Sequence, residues 1–80
     1  MANQIRFILG SKAFIISKDE IKKIEGIQPE PIRKYYIEIE EEQYPIKQVF
    51  SIITGLPLAA FTSQDAFRIL RKFGFEIKEI

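Results

Sequence analysis

Two apolar-rich runs flank a single break at Gly10-Ser11 in IRFILGSKAFII, residues 5–16. Such a pair predicts a β-hairpin closed by a two-residue type II′ loop, with glycine where the backbone needs positive φ. The implied register sets Phe7 opposite Phe14 and Ile5 opposite Ile16 on one face, with Ile8 and Ile15 on the other. Ser17-Lys18-Asp19-Glu20 has capping-box spacing and predicts a helix over 18–25, with Ile21 and Ile24 inward and Gly26 as its stop. The prolines of IQPEPI rule out regular structure there and favour an extended connector. KYYIEIE, residues 34–40, alternates at period two: Tyr35, Ile37 and Ile39 face one way, Lys34, Tyr36, Glu38 and Glu40 the other. EEEQ then reads as a charged turn.

Pro45 opens a second helix, where its missing N–H costs nothing. Ile46, Val49, Phe50 and Ile53 form its inner stripe, and Thr54-Gly55-Leu56-Pro57 is its exit. FTSQDAFRILRKFGF, residues 61–75, carries the third helix. Thr62 and Asp65 have capping-box spacing, Ala66, Phe67, Leu70 and Phe73 recur at helical spacing, and Gly74 ends it. FEIKEI makes a last short strand. The predicted order is β-β-α-β-α-α-β. It describes an α+β domain with a small, mostly antiparallel sheet and helices packed on one face.

At 80 residues the chain reads as a single domain, 1–80, whose size leaves stability marginal without a dense core or self-association. Seven phenylalanines and a 46% hydrophobic content supply the core. They also leave room for an exposed apolar patch and a homodimer. Cysteine and histidine are both missing. That removes disulfides, thiolate metal sites, the commonest metal ligand and the commonest general base. No cofactor is expected. A net charge of +1 argues against a polybasic binder. No apolar run reaches the length of a membrane span, and MANQIRFILG lacks a leader pattern, so a cytoplasmic protein without membrane partners is expected. Abundant isoleucine, lysine and glutamate lean toward a thermophile.

The candidate chemistry is binding rather than catalysis. Gln64, Arg68, Arg71 and Lys72 share the side of the third helix away from its apolar stripe. Their functional reading is a surface contacting nucleic-acid phosphates; the plain reading is a solvated face whose long stems cover apolar neighbours. Lys47 sits in the first turn of the second helix, where it opposes the helix dipole, which suggests a nearby anion. Ser51-x-x-x-Gly55 mimics a helix-turn-helix, but residues 55–61 exceed the motif's turn of about 3–4 residues. Glu38, Glu40, Glu41 and Glu42 could hold a hard cation, yet no ligand loop surrounds them, and an acidic strand edge discourages pairing between chains. Glu76-Ile77-Lys78 with Asp65 is a thin match to a metal-dependent nuclease site. Tyr35, Tyr36 and Tyr44 offer stacking surfaces but fit half-buried strand positions equally well.

Tyr44, Lys47, Val49, Gly55, Phe61-Thr62, Ala66, Leu70 and Gly74-Phe75 together resemble a module found as an N-terminal head of McrA-like modification-dependent restriction endonucleases. The resemblance covers residues 44–75; Phe73 stands where that pattern has leucine, and the first 30 residues lie outside it. It implies a defence-related or DNA-associated accessory domain and does not imply cleavage. The leading expectation is therefore a non-catalytic module that contacts nucleic acid or a nucleic-acid enzyme. The alternative is a protein-interaction or self-associating domain with no nucleic-acid role.

Overall fold

The computed structural model describes residues 4–80; residues 1–3, where the stretch read as lacking a leader begins, lie outside that description. Strands β1 (Gln4–Leu9) and β2 (Lys12–Ser17) form the expected hairpin, with Phe7 opposite Phe14 and Ile5 opposite Ile16. Gly10 takes φ 64° at the turn position that favours glycine. The Phe7 and Phe14 rings stack at 5.3 Å between centroids.

The segment expected as an α-helix over 18–25 is instead a 3-10 helix, Lys18–Ile24. Ser17 caps it by accepting from the Asp19 amide, so the reciprocal box with Glu20 does not form. With three residues per turn, Glu20 falls above Lys23 and pairs with it. Ile24 is the residue this helix buries.

After the proline connector come β3 (Tyr35–Ile39) and β4 (Glu42–Pro45). The expected charged turn shrinks to Glu40-Glu41, both at positive φ (49° and 71°), and Glu42–Pro45 pairs antiparallel with β3. Tyr44 explains why the chain turns back so soon. It lies opposite Ile37, is buried, and donates its hydroxyl to the Ile27 carbonyl at 2.9 Å. Helix α1 (Ile46–Thr54) follows directly, with Pro45 at its N-cap and Gly55 left-handed beyond its end. A short 3-10 turn, Leu58–Ala60, leads into α2 (Ser63–Phe73). β5 is only Lys78–Glu79 and pairs with β3 on the edge away from β4.

The class is α+β, with antiparallel strands as expected. The strands divide into two sheets, β1-β2 and β4-β3-β5, rather than one. Helix α1 joins them: it packs on α2, the first 3-10 helix, β3 and β4, and its Phe50 ring meets Phe7 of β1 at 5.8 Å and Phe61 at 4.5 Å. Val49, Phe50, Ala66 and Leu70 are wholly shielded from solvent, so the core centres on the α1–α2 contact. Among the described residues no helix is long and apolar enough to cross a membrane.

Candidate nucleic-acid interface

Helix α2 starts on a complete capping box. Thr62 Oγ1 accepts from the Asp65 amide and the Asp65 carboxylate accepts from the Thr62 amide, each at 3.1 Å. Ala66, Ile69, Leu70 and Phe73 face inward. Gln64, Arg68, Arg71 and Lys72 are all exposed, so the sequence placed this face correctly. Phe67, expected inside, is only half-buried on its border.

Each cation of the face rests on a different support. The Arg68 guanidinium lies 3.6 Å from the Asp65 carboxylate, one helical turn away, an exposed pair of small energetic weight. Arg71 lies over the Phe67 ring, 5.9 Å from its centroid. Lys72 reaches sideways and donates to the Arg6 backbone carbonyl of β1 at 2.7 Å. A neutral carbonyl orients the ammonium but leaves its charge intact.

Lys47 is not part of this face. It projects from the first turn of α1, half-buried, with its Nζ 5.4 Å from the Phe61 ring centroid. That first turn holds no acidic residue and no side-chain cap, so Lys47 adds to the positive helix end. It lines a groove with Arg33 and Lys34, which precede β3. Sequence reasoning missed both; the available signal was a basic dipeptide directly after a proline-stiffened connector. Lys34 sits 5.1 Å from the Tyr35 ring centroid and 3.9 Å from the Glu79 carboxylate, in a solvent-exposed pair. The Tyr35 ring meets Phe67 edge-on at 4.9 Å. A line of rings and cations, Lys34, Tyr35, Phe67 and Arg71, therefore runs from the groove to the outer face of α2.

Glu30 lines this groove and Glu79 sits beside Lys34, while the run of three glutamates lies elsewhere. Glu40, Glu41 and Glu42 lie at the turn end of the β3–β4 hairpin, and Lys47, Arg33 and Lys34 at the other. Five residues of strand, about 17 Å at about 3.3 Å each, part the two ends. Glu38 pairs with Lys78 at 3.2 Å, which raises the Lys78 pKa. Glu42 accepts from the Tyr44 hydroxyl at 3.0 Å. Burial foremost, then Glu42, pushes the Tyr44 pKa up. Among the described residues no group of three or more acidic side chains is placed to hold a metal. Asp65 is engaged in its cap and Lys78 with Glu38, so neither is held free for the nuclease-like arrangement. The α1–α2 connection is not the short turn of a helix-turn-helix: a 3-10 turn intervenes, and Ser51 donates its hydroxyl to the Leu56 carbonyl at 2.6 Å to close α1.

A family model described as SCO5918-like matches residues 5–80. No curated protein and no solved structure matches the chain.

Proposed function

The chain belongs to the SCO5918-like family, and we propose that it is a non-catalytic cytoplasmic module that contacts nucleic acid through the outer face of α2. Arg68, Arg71 and Lys72 supply phosphate contacts, Gln64 a hydrogen bond, and Lys47 a further cation beyond the N-terminal end of the helix. One observation carries the reading. The three α2 cations stand exposed on one face; Arg68 has one carboxylate neighbour, Asp65, in an exposed pair, while Arg71 rests on a ring and Lys72 on a backbone carbonyl. The glutamates of the β3–β4 turn lie at the far end of their hairpin from Lys47, so they do not cancel its field. The likeness to the head module of McrA-like endonucleases supports the DNA-associated, defence-related setting.

Fluorescence anisotropy with a labelled duplex at stepped salt tests it. Affinity is expected to fall as salt rises. In an Arg68→Ala/Arg71→Ala/Lys72→Ala variant the logarithmic salt slope is expected to shrink by up to about three phosphate contacts. No binding at low salt, or unchanged affinity in the triple variant, overturns the proposal.

A second reading, self-association, is favoured by the outer face of the β1-β2 hairpin. Ile8 and Ile15 are each more than 60% exposed there, with Ala13 opposite Ile8. Sedimentation separates the two: a dimer dissolved by Ile8→Lys/Ile15→Lys supports this reading, and a strict monomer removes it.

A further inference from the structure

The groove that holds Lys47 has a cavity volume of about 730 Å³, within the range of small-ligand sites. One wall is the connector before β3, the other the first turn of α1. The connector is held rather than loose. Gln48, only 7% exposed, accepts from the Glu30 amide at 2.8 Å and donates to the Gln28 carbonyl at 2.9 Å. Pro29 and Pro31 stiffen the same stretch. A buried amide therefore sets the spacing between Arg33 and Lys34 on one wall and Lys47 on the other.

The lining is both cationic and apolar. Arg33, Lys34 and Lys47 line it with one carboxylate, Glu30, and Lys34 also has the Glu79 carboxylate at 3.9 Å in an exposed pair of small weight. Two of the cations rest on aromatic rings, weak contacts at exposed sites, whereas a phosphate offers charge-assisted hydrogen bonds of greater strength. Leu58, 45% exposed, and Pro31 give the groove a bare apolar surface. Cations beside an apolar shelf match a nucleotide, which joins a dianionic or monoanionic phosphate to a flat base.

We propose that this groove takes one nucleotide unit of an unpaired nucleic-acid strand, its phosphate between Arg33, Lys34 and Lys47 and its base against Leu58 and Pro31. The source of the ligand rests on the nucleic-acid reading above. A paired base has both faces stacked within a duplex and cannot offer one to the shelf, so the groove selects single strands. The line of rings and cations to Arg71 gives the neighbouring phosphates a path toward α2.

The test uses the whole chain, a labelled single-stranded oligonucleotide, the duplex of the same sequence, and free uridine monophosphate. Two groove variants are compared with the α2 triple variant: Arg33→Gln/Lys34→Gln/Lys47→Gln, and Leu58→Ser. All four positions are exposed or half-buried, and circular dichroism checks that both variants fold. The glutamine triple is expected to weaken single-strand binding at least about tenfold and to lower the salt slope by about 0.7 per lost contact. Leu58→Ser is expected to weaken it about threefold to tenfold with the salt slope unchanged. Duplex binding is unchanged in Leu58→Ser and falls in the glutamine triple by no more than the single Lys47 contact. Amide resonances of Lys47 and Ser63 are expected to shift with the single strand. If the groove variants bind single strands like the parent while the α2 triple loses duplex binding, the groove inference is overturned and the α2 reading stands. If uridine monophosphate shifts the groove amides but no oligonucleotide binds, the groove holds a free nucleotide and the nucleic-acid reading falls. If neither ligand shifts those amides, the inference is overturned.

Discussion

Asp65 serves both the fold and the proposed interface. Its carboxylate accepts from the Thr62 amide and lies beside Arg68. The amide bond is the main reason its pKa drops below the ordinary 3.8, with the Thr62 hydroxyl and Arg68 adding to it and burial opposing. A carboxyl whose folded pKa is depressed adds stability above its unfolded pKa and loses it as pH falls through the folded one. The melting-temperature gap between the parent and Asp65→Asn is thus expected to be constant at neutral pH and to close below about pH 3.8. A gap that persists unchanged at pH 2 would show that the ionised form contributes nothing. Gln48 makes the second prediction at this scale. Both of its hydrogen bonds go to the connector backbone, so Gln48→Ala is expected to cost about 1–3 kcal/mol in chemical denaturation. Faster amide exchange at Glu30 should accompany it; a loss of stability without that local change would deny the clamp.

Among the elements, the Glu40-Glu41 turn departs furthest from what its residues prefer. Both residues adopt positive φ, which costs an L-residue about 1–2 kcal/mol and is normally assigned to Asn-Gly. Tertiary contacts hold it: Ile37 and Tyr44 face each other in the core, and the Tyr44 hydroxyl is tied to Ile27. Replacing the pair with Asn-Gly is expected to stabilise the domain by about 1–2 kcal/mol, or about 4–8 °C in melting temperature per kcal/mol. A lower melting temperature would mean that the glutamates make contacts outweighing the backbone strain. The same turn explains why β4 was not legible in the sequence. Glu42-Gln43 follows two more glutamates with no turn residue between them, and the one buried side chain of the strand, Tyr44, gives no alternation to read. The 18–25 segment misled for a different reason. Ser17 does cap it, without the reciprocal Glu20 bond, but with only Ile24 buried it lacks the packing that would favour α over 3-10 geometry.

For the whole molecule, stability rests on one small core, and its centre is Phe50, wholly buried between Phe7 and Phe61. Phe50→Ala is expected to cost about 3–5 kcal/mol, a large share of the total stability of about 5–15 kcal/mol typical of a domain, and calorimetry should find the melting temperature lowered by at least about 12 °C. A well-folded variant with a melting temperature close to the parent would move the core's centre elsewhere. Charge is arranged at this scale too. The net charge of +1 hides an acidic turn at one end of the β3–β4 hairpin and a cationic groove at the other. The net value therefore does not describe the local field, and a polyanion bound as proposed should orient the molecule with the β3–β4 turn pointing away.

Local chemistry alone settled the hairpin, the Thr62–Asp65 cap, the ends of α1 and α2, and the solvent face of α2. Each depends on residues within one or two turns of each other, and hydrophobic period, glycine and proline record such relations directly. Tertiary structure decided the division into two sheets, the return of β4, and the meeting of Arg33 and Lys34 with Lys47. Those depend on which surfaces α1 buries and on a single glutamine reaching eighteen to twenty residues back along the chain, a distance across which no periodicity in the sequence carries information.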